Sequence, residues 1–168
     1  MVKISGFYDE VTSDFEEQCK AVKALGETYM CPRVVNGKNI ANYTAEEFER
    51  DIKPIMDKYG VKFSSIGSPI GKIGLYDDEA YNAQLAKLEQ LVKICELTDC
   101  KYIRIFSFRT GGADYDKYFP VVVEKLKGYL AKVKGSDITL LHENEKRIYG
   151  DSPDRCIQLY RAIDDEQF

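Results

Sequence analysis

The chain has 168 residues, 44% of them hydrophobic and 31% charged, with 24 Lys and Arg against 28 Asp and Glu for a net charge of −4; that is enough for one domain with its own core. Acids and bases alternate, as in Glu46-Glu47-Phe48-Glu49-Arg50-Asp51-Ile52-Lys53, and no basic block forms, which argues against a nucleic-acid partner. No apolar run approaches transmembrane length and no signal-peptide core follows Met1, so the expected location is the cytoplasm, away from any membrane.

Val2–Phe7 reads as a first strand. Ser13-x-x-Glu16 has the spacing of a capping box and opens a helix with Phe15, Cys19, Val22 and Leu25 on one face, closed by Gly26. Thr28–Arg33 is a second strand, ended early by Pro32. Thr44-x-x-Glu47 opens a second helix carrying Phe48, Ile52, Ile55 and Tyr59, stopped at Gly60. Pro54 inside it removes one backbone hydrogen bond, which predicts a kink near Arg50. Val61–Ile66 is the third strand, and its helix has the stripe Tyr81, Leu85, Leu88, Val92 and Cys95 with Lys87 and Lys93 outward. Tyr102–Phe106 is the fourth strand, followed by a helix with Phe119, Val122, Leu126, Leu130 and Val133. Ile138–Leu141 is the fifth. Ser152-Pro153 then starts a last helix carrying Cys156, Leu159, Tyr160 and Ile163.

Strict strand–helix alternation implies parallel pairing with right-handed crossovers. The strand starts average about 34 residues per unit. Eight such units would need about 270 residues, near the ~250 of a closed barrel, while five also suit an open flavodoxin-like sheet. Spacing leaves both open. The five cysteines show no Cys-x-x-Cys, and Cys19, Cys95 and Cys156 fall on apolar helix faces, as buried reduced thiols do.

Polar residues gather just past the strands, where α/β proteins place their chemistry. Tyr8, Asp9 and Glu10 follow the first, Arg33, Asn36 and Lys38 the second. Gly67-Ser68-Pro69-Ile70-Gly71-Lys72 follows the third; it lacks the four-residue spacing and the final Ser or Thr of a phosphate loop and reads as a turn. Ser107 and Arg109 follow the fourth strand, and the only histidine, His142, precedes Glu143, Asn144, Glu145 and Lys146 at the fifth. Glu143 is the first candidate for chemistry, because a carboxylate closing an apolar run is costly unless paired or metal-bound. His142, its neighbour, should face the opposite side.

Several segments resemble the xylose-isomerase-like superfamily of sugar (phosphate) isomerases and epimerases, which also contains endonuclease IV: Ile4-Ser5-Gly6-Phe7, Asn36-Gly37-Lys38-Asn39, Ile66 through Lys72, Tyr102 through Ser107, and Leu141-His142-Glu143-Asn144-Glu145-Lys146 through Tyr149-Gly150-Asp151-Ser152-Pro153. The resemblance implies an α/β, parallel TIM-type (βα) barrel of which residues 1–168 form the N-terminal five of eight units as a single domain. It implies that Glu143 binds a divalent metal (Mn, Mg, Co or Zn) and acts as acid/base. In a barrel the strand tips ring one mouth, so Tyr8, Ser68, Arg109 and His142 are expected toward a sugar or sugar-phosphate substrate. The family's remaining ligands, an aspartate, a histidine and a second glutamate, come from strands six to eight, which this sequence lacks. A glutamate often found in the second strand is also missing around Cys31. The expected chemistry is metal-assisted proton transfer next to a carbonyl, with weak or no metal binding and no turnover in this length of chain. A non-catalytic carbohydrate-binding or assembly fragment is the alternative, and an endonuclease-IV-like nuclease fits less well with the acidic charge and single histidine. The expected strand order is 1-2-3-4-5, with self-association through exposed edges at Val2–Phe7 and Ile138–Leu141.

Overall fold

The computed structural model describes residues 2–112 and 114–168. The polypeptide divides into two compact units, Met1–Ser68 with Gln90–Ile103, and Pro69–Glu89 with Arg104–Phe168.

In the first unit, helix α1 (Phe15–Ala24) is capped by Asp14, whose carboxylate accepts from Glu17 N at 2.9 Å. The expected cap, Ser13, lies one residue too early for its side chain to reach the third backbone N–H of this helix. Phe15, Cys19 and Val22 are buried as expected, but Leu25 sits past the last turn and is 70% exposed. Strand β1 (Tyr29–Met30) follows, then an unforeseen antiparallel hairpin of β2 (Val34–Val35) and β3 (Lys38–Asn39). Its two-residue turn uses Asn36 (φ 49°) and Gly37 (φ 73°), both left-handed, as the tight hairpin turn requires.

The second helix is broken rather than kinked. Helix α2 (Ala45–Asp51), with its Thr44/Glu47 capping box, ends at Ile52, and helix α3 (Lys53–Tyr59) begins at once. Pro54 thereby falls in the first turn of α3, where a missing N–H leaves no hydrogen bond unmade. Strand β4 (Lys62–Phe63) pairs in parallel with β1 through Tyr29↔Lys62 and Met30↔Phe63, and Ile66 bridges in parallel to Ile103. The second expected strand thus lies beside the third, which excludes the flavodoxin-like order. Val2–Phe7 is a correction: no strand forms there, and the segment meets the β1 stretch through Gly6 O accepting from Cys31 N at 2.9 Å and Lys3 Nζ over the Tyr29 ring at 4.8 Å. With Val2 89% and Ile4 61% exposed, the segment has no apolar surface to bury that would hold it in register. Phe15 and Phe48 meet Phe63 edge-on at 6.5 and 5.9 Å and anchor this unit's core.

Helix α4 (Asp78–Thr98) buries Gln84, Leu88, Leu91, Ile94 and Cys95, while Tyr81, Leu85 and Val92 of the expected stripe are half-buried. The stripe is rotated because Gln84 goes inward: its Oε1 accepts from Gly71 N at 2.8 Å and from Tyr129 O–H at 2.7 Å. Strand β5 (Tyr102–Ile105) and helix α5 (Tyr115–Val133) come next, α5 burying Val122, Leu126, Tyr129, Leu130 and Val133. Within the second unit β5 neighbours strand β6 (Thr139–His142), one residue later than expected. Helix α6 (Pro153–Ile163), capped by Ser152, buries Leu159 and Ile163 but leaves Tyr160 63% exposed and Cys156 half-buried.

All five cysteines are free thiols. Burial pushes Cys19 up to about 12, and a hydrogen bond donated to Cys100, with burial added, holds Cys95 far above the ordinary thiol range. Such thiols are poor nucleophiles at neutral pH. Among the described residues no helix is long and apolar enough to cross a membrane.

Candidate functional site

Glu143 extends the β5–β6 pairing, its N–H donating to Ile105 O at 3.0 Å. Neighbouring residues on a strand point opposite ways, and the side chains of His142 and Glu143 find different partners. Glu143 Oε2 lies 3.2 Å from Arg104 Nη1 on the adjacent strand. The carboxylate is 43% exposed and the guanidinium 14%, so Glu143 is the reachable member of the pair. Arg104 is flanked by the buried Ile103 and Ile105 and lies over the Phe106 ring at 5.0 Å. Lys72 Nζ lies over the same ring at 4.2 Å and pairs with Glu145 Oε2 at 2.6 Å. Two ion pairs therefore share one aromatic ring, which fixes both cations beyond what charge alone does.

His142 turns away from this cluster. Its Nε2 is 2.9 Å from Ser107 Oγ, which also accepts from Gly150 N at 2.8 Å, and its ring stacks on Phe168 at 6.3 Å. At Gly150 a Cβ would stand 2.3 Å from the His142 ring and would have to displace it. Enclosure brings the imidazole down to about 4 from 6.5. The unfolded chain therefore takes up a proton near pH 6.5 that the folded chain refuses until about 4. This contribution to stability is complete above pH 6.5 and is lost as the pH falls. At pH 5 the loss from this group is about 2 kcal/mol. Urea unfolding at pH 7.5 and 5.0 should show it, and His142→Gln should flatten the difference. An equal acid loss in both proteins would exclude His142 as its source.

The other expected residues fall in both units. Tyr8 is buried in a short 3-10 turn of the first unit, where burial and then Glu27 raise its phenol above the usual range. Ser68, fully buried, ends the same unit's first segment. Arg33, one of the polar residues past the second expected strand, is committed to Asp9 at 3.1 Å and Glu10 at 2.9 Å and lies over Phe7. Arg109, His142 and Glu143 belong to the second unit. Arg109 bridges in parallel to Gly74 and lines a cavity of about 370 Å³ with Thr110, Gly111, Gly112, Tyr115 and Arg147.

Sequence reading missed Arg104, Lys72 as a partner of Glu145, and Arg147. The charge at Arg104 inside Tyr102-Ile103-Arg104-Ile105-Phe106 was the available signal, because a lone cation in an apolar strand needs an anion on the next strand. Arg147 carries no such mark in the sequence.

Among the described residues no three His, Cys, Asp or Glu side chains gather so that they could hold a metal ion. Glu143 faces Arg104, Glu145 faces Lys72 and His142 faces Ser107, so each nearby donor is engaged elsewhere. These residues do not fit a divalent-metal centre by themselves, since such centres use several protein ligands.

Alternating strands and helices with parallel neighbours define a βα-barrel type of chain. The family model described as xylose isomerase-like TIM barrel matches residues 12–168, and the chain belongs to that family. No curated protein matches the sequence. Among solved structures, a xylose isomerase-like TIM barrel protein from Mycobacterium smegmatis in complex with magnesium is similar at TM-score 0.76 and 13% identity, over 99% of this chain and 64% of that one. A D-psicose 3-epimerase from Clostridium cellulolyticum H10, solved with D-tagatose, is similar at TM-score 0.71 and 13% identity, over 99% and 61%. An AP endonuclease of family 2 from Brucella melitensis is similar at 0.73 and 13%, over 97% and 65%. The chain thus spans less than two thirds of each of these structures, and at such identities the likeness shows the fold alone.

Proposed function

We propose that this chain is a sugar or sugar-phosphate isomerase/epimerase-like protein of the cytoplasm, forming as one domain the N-terminal five units of a (βα)8 barrel. In this reading Glu143 takes a proton from the carbon next to a substrate carbonyl, and Arg109, in the same unit, contacts the sugar. The observation that carries it is the placement of Glu143, half-exposed at the end of β6 and oriented by Arg104 at 3.2 Å. A positioned carboxylate of this kind contributes roughly 10²–10⁴-fold as a general base. Inverting a carbinol needs a group on each face of the carbon, and Glu143 supplies one face only. His142 holds the strand end in place through Ser107 and Gly150. The divalent ion that the family resemblance implies, Mn, Mg, Co or Zn, would need ligands beyond those described here.

The 168-residue chain is therefore expected to bind Mn²⁺ weakly in calorimetry and to show no turnover in a ketose/aldose interconversion screen. A form carrying three further βα units is expected to turn over in a metal-dependent way. In that form Glu143→Gln, which keeps shape and removes the base, should lower kcat by about 10²-fold or more. Turnover by the short chain, or full activity of the Gln form, would overturn the assignment of Glu143.

The engagement of Glu143 with Arg104 favours a second reading, a carbohydrate-binding or assembly module without catalysis. Sugar binding without turnover in the longer form would select it. A nuclease role is disfavoured by the net charge of −4. Self-association through β6 belongs to the same proposal: Leu141 is 41% exposed. Light scattering showing a monomer would remove that part.

A further inference from the structure

Six cations of the second unit have an acid within reach: Lys72 with Glu145, Arg104 with Glu143, Lys125 with Asp78, Lys132 with Glu89, Lys134 with Asp165 and Arg155 with Asp151. Arg109 and Arg147 are not among them. Among the described residues neither guanidinium has an ion-pair partner, although the chain carries 28 acids against 24 bases. Both line the same cavity, of about 370 Å³. Arg147 is carried there by a left-handed backbone (φ 69°), a conformation that a side chain with a Cβ resists.

Two like charges brought to one cavity repel each other unless an anion joins them. Each guanidinium offers five donors in a planar fork that matches the oxygens of a phosphate. A phosphate monoester carries close to two negative charges above pH 7, one for each arginine. The rest of the wall suits a small polar ligand. Thr110 Oγ1 is spent on Gly112 O at 3.0 Å and shapes the turn, and Arg155 lies over the Tyr115 ring at 3.9 Å, fixing it as a side wall. Ligand pockets run from about 300 to 1,000 Å³, and this one is near the lower bound. It suits a sugar phosphate better than a nucleotide cofactor.

We propose that Arg109 and Arg147 form a clamp for the phosphate group of a phosphorylated sugar, which makes the substrate class a sugar phosphate rather than a free sugar. The clamp rests on the proposed reading of the chain as a sugar-handling protein, and the test separates the two. Calorimetry at pH 7.5 and low salt would compare fructose 6-phosphate, fructose and inorganic phosphate, with the wild-type chain, Arg109→Ala, Arg147→Ala, the double variant and the two Lys variants. The expected result is that fructose 6-phosphate binds at least about tenfold more tightly than fructose. Each Ala variant should lose about tenfold, the double variant should lose all measurable binding, and the Lys variants, which keep charge without the fork, should fall between. Both arginines are exposed, so unchanged far-UV circular dichroism should accompany these losses. Arginine-dependent binding of inorganic phosphate with nothing added by the sugar would support the clamp and count against the sugar reading. Equal binding of fructose and fructose 6-phosphate, indifferent to both arginines, would overturn the clamp and leave the sugar reading standing. No binding of either phosphate by the wild-type chain would overturn the clamp outright.

Discussion

Alanine at Gly71 is expected to cost more than about 4 kcal/mol and to abolish cooperative folding of the second unit. Gly71 has φ +89°, and a Cβ there would stand 2.0 Å from Phe106 O and 2.6 Å from Phe106 C. These are backbone atoms and cannot rotate aside. Nor can the strand retreat, because Phe106 N donates to Ile70 O at 2.8 Å and Phe108 N to Gly71 O at 3.0 Å, on either side of the clash. Relief would break those hydrogen bonds, and the backbone strain at positive φ alone adds about 1–2 kcal/mol. Thermal melting followed by circular dichroism should show a midpoint lowered by about 10 °C or more, or no transition. A melt within about 3 °C of the parent would mean that the loop does not cross β5 as closely as described.

Gln84→Leu is the second large effect, expected at about 3–4 kcal/mol. Its Oε1 receives both Gly71 N–H and Tyr129 O–H, and Leu leaves two buried donors without an acceptor at about 1–3 kcal/mol each. Tyr129→Phe alone removes one hydrogen bond and leaves Gln84 still bonded to Gly71, so about 1 kcal/mol is expected. The double variant should cost less than the sum, because phenylalanine removes one of the donors that leucine strands. A coupling of about 1 kcal/mol in urea unfolding is expected. Strict additivity would show that the phenol and the amide do not meet.

These two positions mark the boundary of what the sequence made legible. The apolar period located the long helices but not the break between α2 and α3, and Thr44, Gly60 and Ser152 located three helix ends, because caps and left-handed glycines act within one turn of chain. The neighbour relation β5–β6 is common to both sheet orders that alternation left open, while β1–β4 followed from the family resemblance. The rotation of α4 toward Gln84 did not, since a polar residue goes inward only for partners 13 and 45 positions away. The first strand failed for a related reason: Val2-Lys3-Ile4 has strand-like residues but no surface on which to bury them. The Asn36-Gly37 hairpin was present as a turn dipeptide and was passed over in favour of its polar side chains. At the site, the opposite facing of His142 and Glu143 was readable from strand geometry. Their partners, Ser107 and Arg104, were not, because both belong to the neighbouring strand's stretch of chain.

The Asn36-Gly37 turn also governs how the protein ages. Asn-Gly pairs lose ammonia spontaneously when the glycine nitrogen attacks the asparagine side chain and closes an imide ring. Both reacting groups are occupied here: Gly37 N–H is held by Ser13 O at 3.2 Å, and Asn36 Oδ1 accepts from Phe15 N at 2.8 Å. Ring closure has to break both hydrogen bonds and uncouple the hairpin from the start of α1. The folded protein therefore protects its own weakest covalent link, and deamidation at Asn36 becomes a chemical clock that runs only while the first unit is open.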